Sequence, residues 1–157
     1  MVTVVDRVEE IRTSLDAVTD PEIPVLSIAD IGILRDVAID EGGTVVVTIT
    51  PTYSGCPALE VIQGDIARHL AASGYTAQVD VSYTPEWTTD WMSDAAKDKL
   101  RATGIAPPGV LGVVDEVLCP RCASADAQLI SEFGSTACKR LMVCTTCGEP
   151  FDQFKAI

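Results

Sequence analysis

Histidine is almost missing from this chain: His69 is the only one in 157 residues. A histidine base or metal ligand needs neighbours, and no nearby motif supplies them, so His69 is expected to be a surface or boundary residue. Basic residues are also scarce. Eleven Lys and Arg against 23 Asp and Glu leave a net charge of -12, so nucleic acid or an anionic membrane would bind against the overall field. Long apolar runs are absent too. Stretches such as Val45-Val46-Val47 fall far short of the roughly 20 residues that cross a bilayer, and no membrane span is expected. The opening Met1-Val2-Thr3-Val4-Val5-Asp6 has neither the apolar core nor the small-residue cleavage pattern of an export signal, which predicts a cytoplasmic location.

What is present is an ordinary globular balance, 47% hydrophobic and 22% charged, with an uneven distribution of charge and cysteine. Residues 1–114 hold 17 acids and 7 bases, whereas 115–157 hold 6 and 4. Cys119, Cys122, Cys138, Cys144 and Cys147 crowd the C-terminal part, and only Cys56 lies outside it. Without an export signal, such a cluster points to a metal before a disulfide framework. Thr103-Gly104-Ile105-Ala106-Pro107-Pro108-Gly109 can neither continue a helix nor donate a full ladder, and it marks a linker. The predicted organisation is a domain over 1–104, a linker over 105–116 and a small module over 117–157.

Val4, Val8, Ile11, Leu15 and Val18 recur at helical spacing, and Pro21 ends that helix. The proline-rich Asp20-Pro21-Glu22-Ile23-Pro24-Val25 reads as a structured loop. Ile33 to Asp40 and Thr44 to Thr50 are β-branched stretches joined by Glu41-Gly42-Gly43, an antiparallel hairpin. Leu59, Ile62, Ile66 and Leu70 give a second amphipathic helix, with Gly74 just past its end. Val79, Val81 and Tyr83 alternate with polar residues as a third strand with one buried face. A short helix begins near Ser93, after Trp87 and Trp91, which read as core aromatics covering the sheet or the helix seam. The second strand, the helix and the third strand make a β-α-β crossover. The predicted fold is α+β: a small α-β-β-α-β-α domain with a mixed sheet, followed by a zinc-ribbon module with strands near Gln128–Phe133 and Leu141–Val143.

Cys119-Pro120-Arg121-Cys122 and Cys144-Thr145-Thr146-Cys147-Gly148 are separated by 21 residues, close to the spacing of four-cysteine zinc sites. Each C-x-x-C turn aims two thiolates at one ion, and four thiolates close a tetrahedral sphere with no position left for substrate. A module of about 40 residues buries too little apolar surface to stand alone, so a structural Zn2+ would hold it together. A rubredoxin-like iron site uses the same ligands, and a dithiol-disulfide role is a third reading. Cys138 is left over beside Lys139 and Arg140, which could lower its pKa, although a partly buried ribbon thiol is the simpler assignment.

Cys56 stands in Gly55-Cys56-Pro57, between a strand and the second helix. With Pro57 at the first helical position, Cys56 would be the N-cap, where the helix dipole favours a thiolate. A buried packing cysteine is the alternative, and no sequence neighbour serves as its base.

Asp20-Pro21-Glu22-Ile23-Pro24-Val25, Ile28-Ala29-Asp30-Ile31-Gly32-Ile33-Leu34 and the Thr48 to Pro57 segment together resemble the metal-sulfur cluster biosynthetic domain of SufT-like iron-sulfur assembly factors, over roughly residues 5–103. The resemblance implies that Cys56 handles iron or a cluster transiently and that Asp20 lies on the same motif surface. Trp87 to Ser93, Gly104 to Pro108, Cys119 to Cys122, Phe133 to Lys139 and Glu149 to Lys155 further resemble the PaaD (PaaJ) family, small accessory subunits encoded with the phenylacetyl-CoA ring 1,2-epoxidase of aerobic phenylacetate degradation. That family implies a non-catalytic part in a multicomponent monooxygenase whose oxygenase carries a di-iron centre and whose reductase carries a flavin and a [2Fe-2S] cluster. Lacking a Glu-x-x-His pair and all but one histidine, this chain cannot itself be the di-iron oxygenase. One cysteine cannot hold a cluster, so Cys56 needs a second chain, Cys138 or a small thiol. The expected partners are the other epoxidase subunits, especially the reductase, or a second copy as a homodimer. The rival functions are an electron carrier with iron in the C-terminal site and a structural adaptor between oxygenase and reductase.

Overall fold

The computed structural model describes residues 1–109 and 116–156. They form two compact units, Met1–Trp87 and Thr88–Ile157. Of the expected linker 105–116, residues 110–115 lie outside the described residues.

The first unit opens with α1, Val4–Ser14. Thr3 and Asp6 form a reciprocal capping box in which the Thr3 hydroxyl accepts the Asp6 N–H at 3.1 Å and Asp6 accepts the Thr3 N–H at 2.9 Å. The helix tightens into a 3-10 turn over Leu15–Ala17. The chain then reaches the hairpin β1, Leu34–Ile39, and β2, Val45–Ile49. Their antiparallel register runs from Leu34↔Ile49 to Ile39↔Val45, with an irregularity at Arg35. At the turn, Asp40 Oδ1 accepts the N–H groups of Gly42 and Thr44, and Gly43 takes a φ of 82° that a side chain would oppose.

Helix α2, Leu59–Ala72, carries the chain back so that β3, Ala77–Val81, pairs parallel with β2 in the order β1-β2-β3. The mixed sheet is therefore as predicted. Helix α1 lies on β1 and α2 on β3, and Val45, Val47, Ile49, Ile62, Ile66 and Leu70 are fully buried. The third strand is shorter than its alternation suggested: pairing stops at Ile49↔Val81, and Tyr83 lies beyond it, 49% exposed. His69 is half-buried on α2, and its Nε2 is buried with no hydrogen-bond partner among the described residues.

The crossover decides where the loops go. β2 and β3 end, and β1 begins, at the same end of the sheet. The segments at that end are tied to one another: Thr50 N–H donates to Ile33 O, Ser82 N–H to Ile49 O, Leu34 N–H to Ile28 O, and the Trp87 indole N–H to Ile31 O at 2.9 Å. Trp87 is buried, in keeping with a core aromatic.

The second unit begins with a 3-10 turn, Thr89–Trp91, and α3, Asp94–Ala102, capped by the Ser93 hydroxyl. A three-stranded antiparallel sheet follows: β4, Ala127–Ser131; β5, Lys139–Cys144; β6, Pro150–Phe154. The first two strands were expected and β6 was not. Ala106 covers the outer edge of β6, donating to Asp152 O and accepting from Phe154 N–H.

Candidate metal centre and candidate thiol site

The two C-x-x-C turns are built alike. Cys119 N–H donates to Ser124 O and Ala123 N–H returns to Cys119 O; Cys144 N–H donates to Glu149 O and Gly148 N–H returns to Cys144 O. Each turn then needs a left-handed residue just after its second cysteine. The second has Gly148 at φ 77°, while the first places Ala123 at φ 60°, a strained choice for a residue with a Cβ.

This repetition brings Cys119, Cys122, Cys144 and Cys147 together with all four sulfurs within 4.8 Å of one another. Cys119 Sγ lies 3.7 Å from Cys147 Sγ, and Cys122 Sγ 3.6 Å from Cys144 Sγ. A tetrahedron with metal–sulfur bonds of about 2.3 Å has edges of about 3.8 Å, so the donor set fits one tetrahedral ion. None of the six cysteines forms a disulfide. Cys119 and Cys144 are buried while Cys122 and Cys147 face solvent, so the sphere is closed by protein on one side only. The turns are braced across the site by Arg121 Nη1 on Glu149 Oε2 at 2.7 Å and by a Ser124–Thr146 hydroxyl contact at 2.9 Å. Beneath it, Ala106, Met142 and Phe151 pack with Cys119 and Cys144.

The thiols are electrostatically unequal. The N–H of Cys147, with that of Thr146, donates to the Cys144 sulfur and draws its thiol down to about 7. Cys122 receives the Ser124 N–H, which favours its thiolate, yet desolvation and the neighbouring sulfurs push it up to about 12. Cys144 thus parts with its proton more readily than Cys122.

Cys138 stands apart from this group. It is buried, with Thr136 Oγ1 3.0 Å from its sulfur, and the loop around it is latched: Ser135 Oγ donates to Asp152 Oδ2 at 2.6 Å and Lys139 Nζ lies 3.9 Å from the same oxygen.

In the first unit, Cys56 is half-buried in the segment that leaves β2. It is not the helix N-cap. Helix α2 starts at Leu59, its cap is Ala58, and no side chain caps it. The proline signal at Pro57 marks a separate turn, in which Cys56 N–H donates to Tyr53 O and Leu59 N–H to Cys56 O. The thiol therefore sits one turn ahead of the helix. Asp20 is buried, and its Oδ1 accepts the N–H groups of Glu22 at 2.7 Å and Ile23 at 3.1 Å, fixing the loop that leads towards β1. Cys56 and this loop lie on segments gathered at one end of the sheet.

Comparison with known proteins matches these two constructions separately and together. An iron-sulfur cluster assembly protein model matches residues 8–83, and a PaaD zinc beta ribbon domain model matches residues 106–155. A protein of Escherichia coli (strain K12), provisionally named as one of the subunits of 1,2-phenylacetyl-CoA epoxidase, is 50% identical over 96% of this chain and 94% of its own length. The chain belongs to the PaaD family of epoxidase subunits. Within it, the first unit is also similar to an Fe-S protein maturation auxiliary factor of Bacillus subtilis (strain 168), 36% identical over 57% of this chain and 88% of the relative. The crystal structure of a domain of unknown function from Bacillus anthracis shares its fold, with a TM-score of 0.55 and 32% identity over 59% of this chain and 90% of that one. The names of these relatives and of the model over residues 8–83 are consistent with an accessory role linked to iron-sulfur handling. Among the described residues no helix is long and apolar enough to cross a membrane.

Proposed function

We propose that this chain is a non-catalytic, cytoplasmic maturation subunit of the phenylacetyl-CoA 1,2-epoxidase system, assisting assembly of an iron centre or iron-sulfur cluster in a partner subunit, foremost the reductase. The observation that carries the reading is the pairing, in one chain, of an iron-sulfur assembly unit with a ribbon whose four sulfurs surround a single ion position. In this reading the module over 117–157 holds a structural Zn2+ through Cys119, Cys122, Cys144 and Cys147. The domain over 1–104 presents Cys56 as a transient ligand to iron or a cluster, which is cargo and not a resident cofactor. Asp20, buried with its Oδ1 bonded to the backbone of Glu22 and Ile23, is the acid of the same motif surface. A single cysteine leaves cluster coordination incomplete, which suits a handover in which the client or a second copy supplies the remaining thiolates.

Elemental analysis with visible absorption on wild type and Cys56→Ser, purified without oxygen and measured before and after iron-sulfide reconstitution, tests this reading. One zinc per chain in both proteins, with iron-sulfur absorption in wild type only, supports it. Stoichiometric iron in both, bleached by reductant, overturns it in favour of electron transfer at the tetrathiolate.

A further inference from the structure

The two C-x-x-C turns correspond residue by residue. Cys119-Pro120-Arg121-Cys122-Ala123-Ser124 runs parallel to Cys144-Thr145-Thr146-Cys147-Gly148-Glu149, and in both the first residue donates to the sixth and the fifth to the first. Under that correspondence, two side-chain contacts that cross between the turns are one contact made twice. Each joins the third residue of one turn to the sixth of the other: Arg121 Nη1 to Glu149 Oε2 at 2.7 Å, and Thr146 Oγ1 to Ser124 Oγ at 2.9 Å. The sulfurs follow the same rule, first with fourth, as Cys119–Cys147 at 3.7 Å and Cys144–Cys122 at 3.6 Å. One clasp belongs to each sulfur pair. The Arg121 guanidinium is held charged first by Glu149 and next by Cys147 and Cys119, whereas the N–H groups of Ser124 and Thr146 reach Cys122 and Cys144.

The clasps differ in chemistry and in support. The hydroxyl clasp is neutral and backed by Asp126, whose Oδ2 lies 3.2 Å from both hydroxyls and whose backbone carbonyl accepts the Thr145 N–H at 2.8 Å and hydroxyl at 3.0 Å. The ionic clasp is a single contact between side chains that are 67% and 39% exposed, open to screening by salt. An ion inside a closed shell of four sulfurs leaves only as the two turns part. We propose that Arg121, Glu149, Ser124 and Thr146 are positioning residues that clasp the turns around the ion and set how fast it leaves, and that the Arg121–Glu149 clasp is the one that opens. The proposal rests on the reading of the four cysteines as a resident metal site.

The test is release of Zn2+ from the loaded full chain to excess chelator under reducing conditions, timed at low and moderate salt. Wild-type release should quicken as salt rises. Arg121→Ala and Glu149→Ala should each release Zn2+ about two- to fivefold faster at low salt, as loss of an exposed ion pair does, with little salt response left. Their combination should be no faster than either alone, and Arg121→Lys should recover most of the wild-type rate. Thr146→Val should release about two- to tenfold faster with the salt response intact. Arg68→Ala, which breaks an exposed pair with Asp65 on α2, should behave as wild type. Glu149→Ala separates a clasp from a mere field: four thiolates around a divalent ion carry net negative charge, so removing a neighbouring acid would slow release if only the field mattered. Co2+-loaded variants should keep the wild-type thiolate charge-transfer band, showing that the ligands themselves have not moved. Unchanged or slower release from Glu149→Ala, additive effects of the two alanines, wild-type release from Thr146→Val, an equal effect of Arg68→Ala, or a shifted Co2+ band would each overturn the proposal. A wild-type chain that holds no Zn2+ and shows no Co2+–thiolate band would instead sink the reading of the metal site, so the two failures are told apart.

Discussion

Removing the metal from the four-cysteine group should unfold β4–β6 and leave β1–β3 standing. The cluster beneath the site has five buried members, and two of them, Cys119 and Cys144, are proposed ligands. The large apolar side chains that remain are Met142 and Phe151, with Phe154 buried farther along β6. Burying each contributes about 1.5–3 kcal/mol, so the three together give about 5–9 kcal/mol. A structural zinc contributes about 10–16 kcal/mol near neutral pH. The ion is therefore the larger favourable term, and ordering the loops between Cys119 and Phe154 outweighs what remains without it. The first unit has no such dependence, since Leu15, Leu26, Ile28, Ile33, Val45, Ile49, Ile62, Ile66 and Leu70 are all fully or almost fully buried. Amide hydrogen exchange on the full chain, with and without a thiol-compatible chelator under reducing conditions, separates the units. Protection should vanish at residues 139–144 and 150–154 and persist at 45–49 and 59–72. Retained protection at 139–144 after verified metal loss would refute the reasoning, because it would show that side-chain packing suffices.

Other expectations follow from single contacts. Metal affinity should rise with pH, because the metal-free thiols carry protons that the bound thiolates do not. With Cys144 drawn down to about 7, one more proton must be displaced below that pH than above it, so log affinity against pH should steepen by one below about 7 in chelator competition. Ala123→Gly should relieve the left-handed backbone at φ 60°, slowing metal loss by up to the equivalent of about 1 kcal/mol. Gly148→Ala should cost about 1 kcal/mol, from backbone alone, since a Cβ there meets nothing within 4 Å. Asp20→Ala orphans two amide donors and should destabilise the first unit by about 1–3 kcal/mol in denaturant titration, with Asn recovering most of it. His69→Leu removes a buried nitrogen without a partner among the described residues and should be neutral or stabilising in the same assay.

Which features were legible in the sequence depended on how local their causes are. The hairpin was readable because β-branched runs flank Glu41-Gly42-Gly43, and the turn needs only its own glycine and the Asp40 carboxylate. The four-cysteine site was readable because each C-x-x-C turn is closed by hydrogen bonds within about five residues, so spacing alone carries the geometry. Strand β6 was not readable. Pro150-Phe151-Asp152-Gln153-Phe154 opens on a proline and sets its two phenylalanines three apart, off the alternation of a strand, and it becomes a strand through pairing with β5 and the Ala106 bridge, contacts invisible to a local pattern. The misplaced cap at Cys56 has the same origin. Proline suits a first helical turn but also suits the isolated turn from Tyr53 to Leu59, and local sequence does not separate the two. That displacement changes the chemistry expected of the thiol. The helix-dipole argument for a thiolate belongs to the cap position, and that position is held by Ala58, so it does not carry over to Cys56 one turn ahead of Leu59.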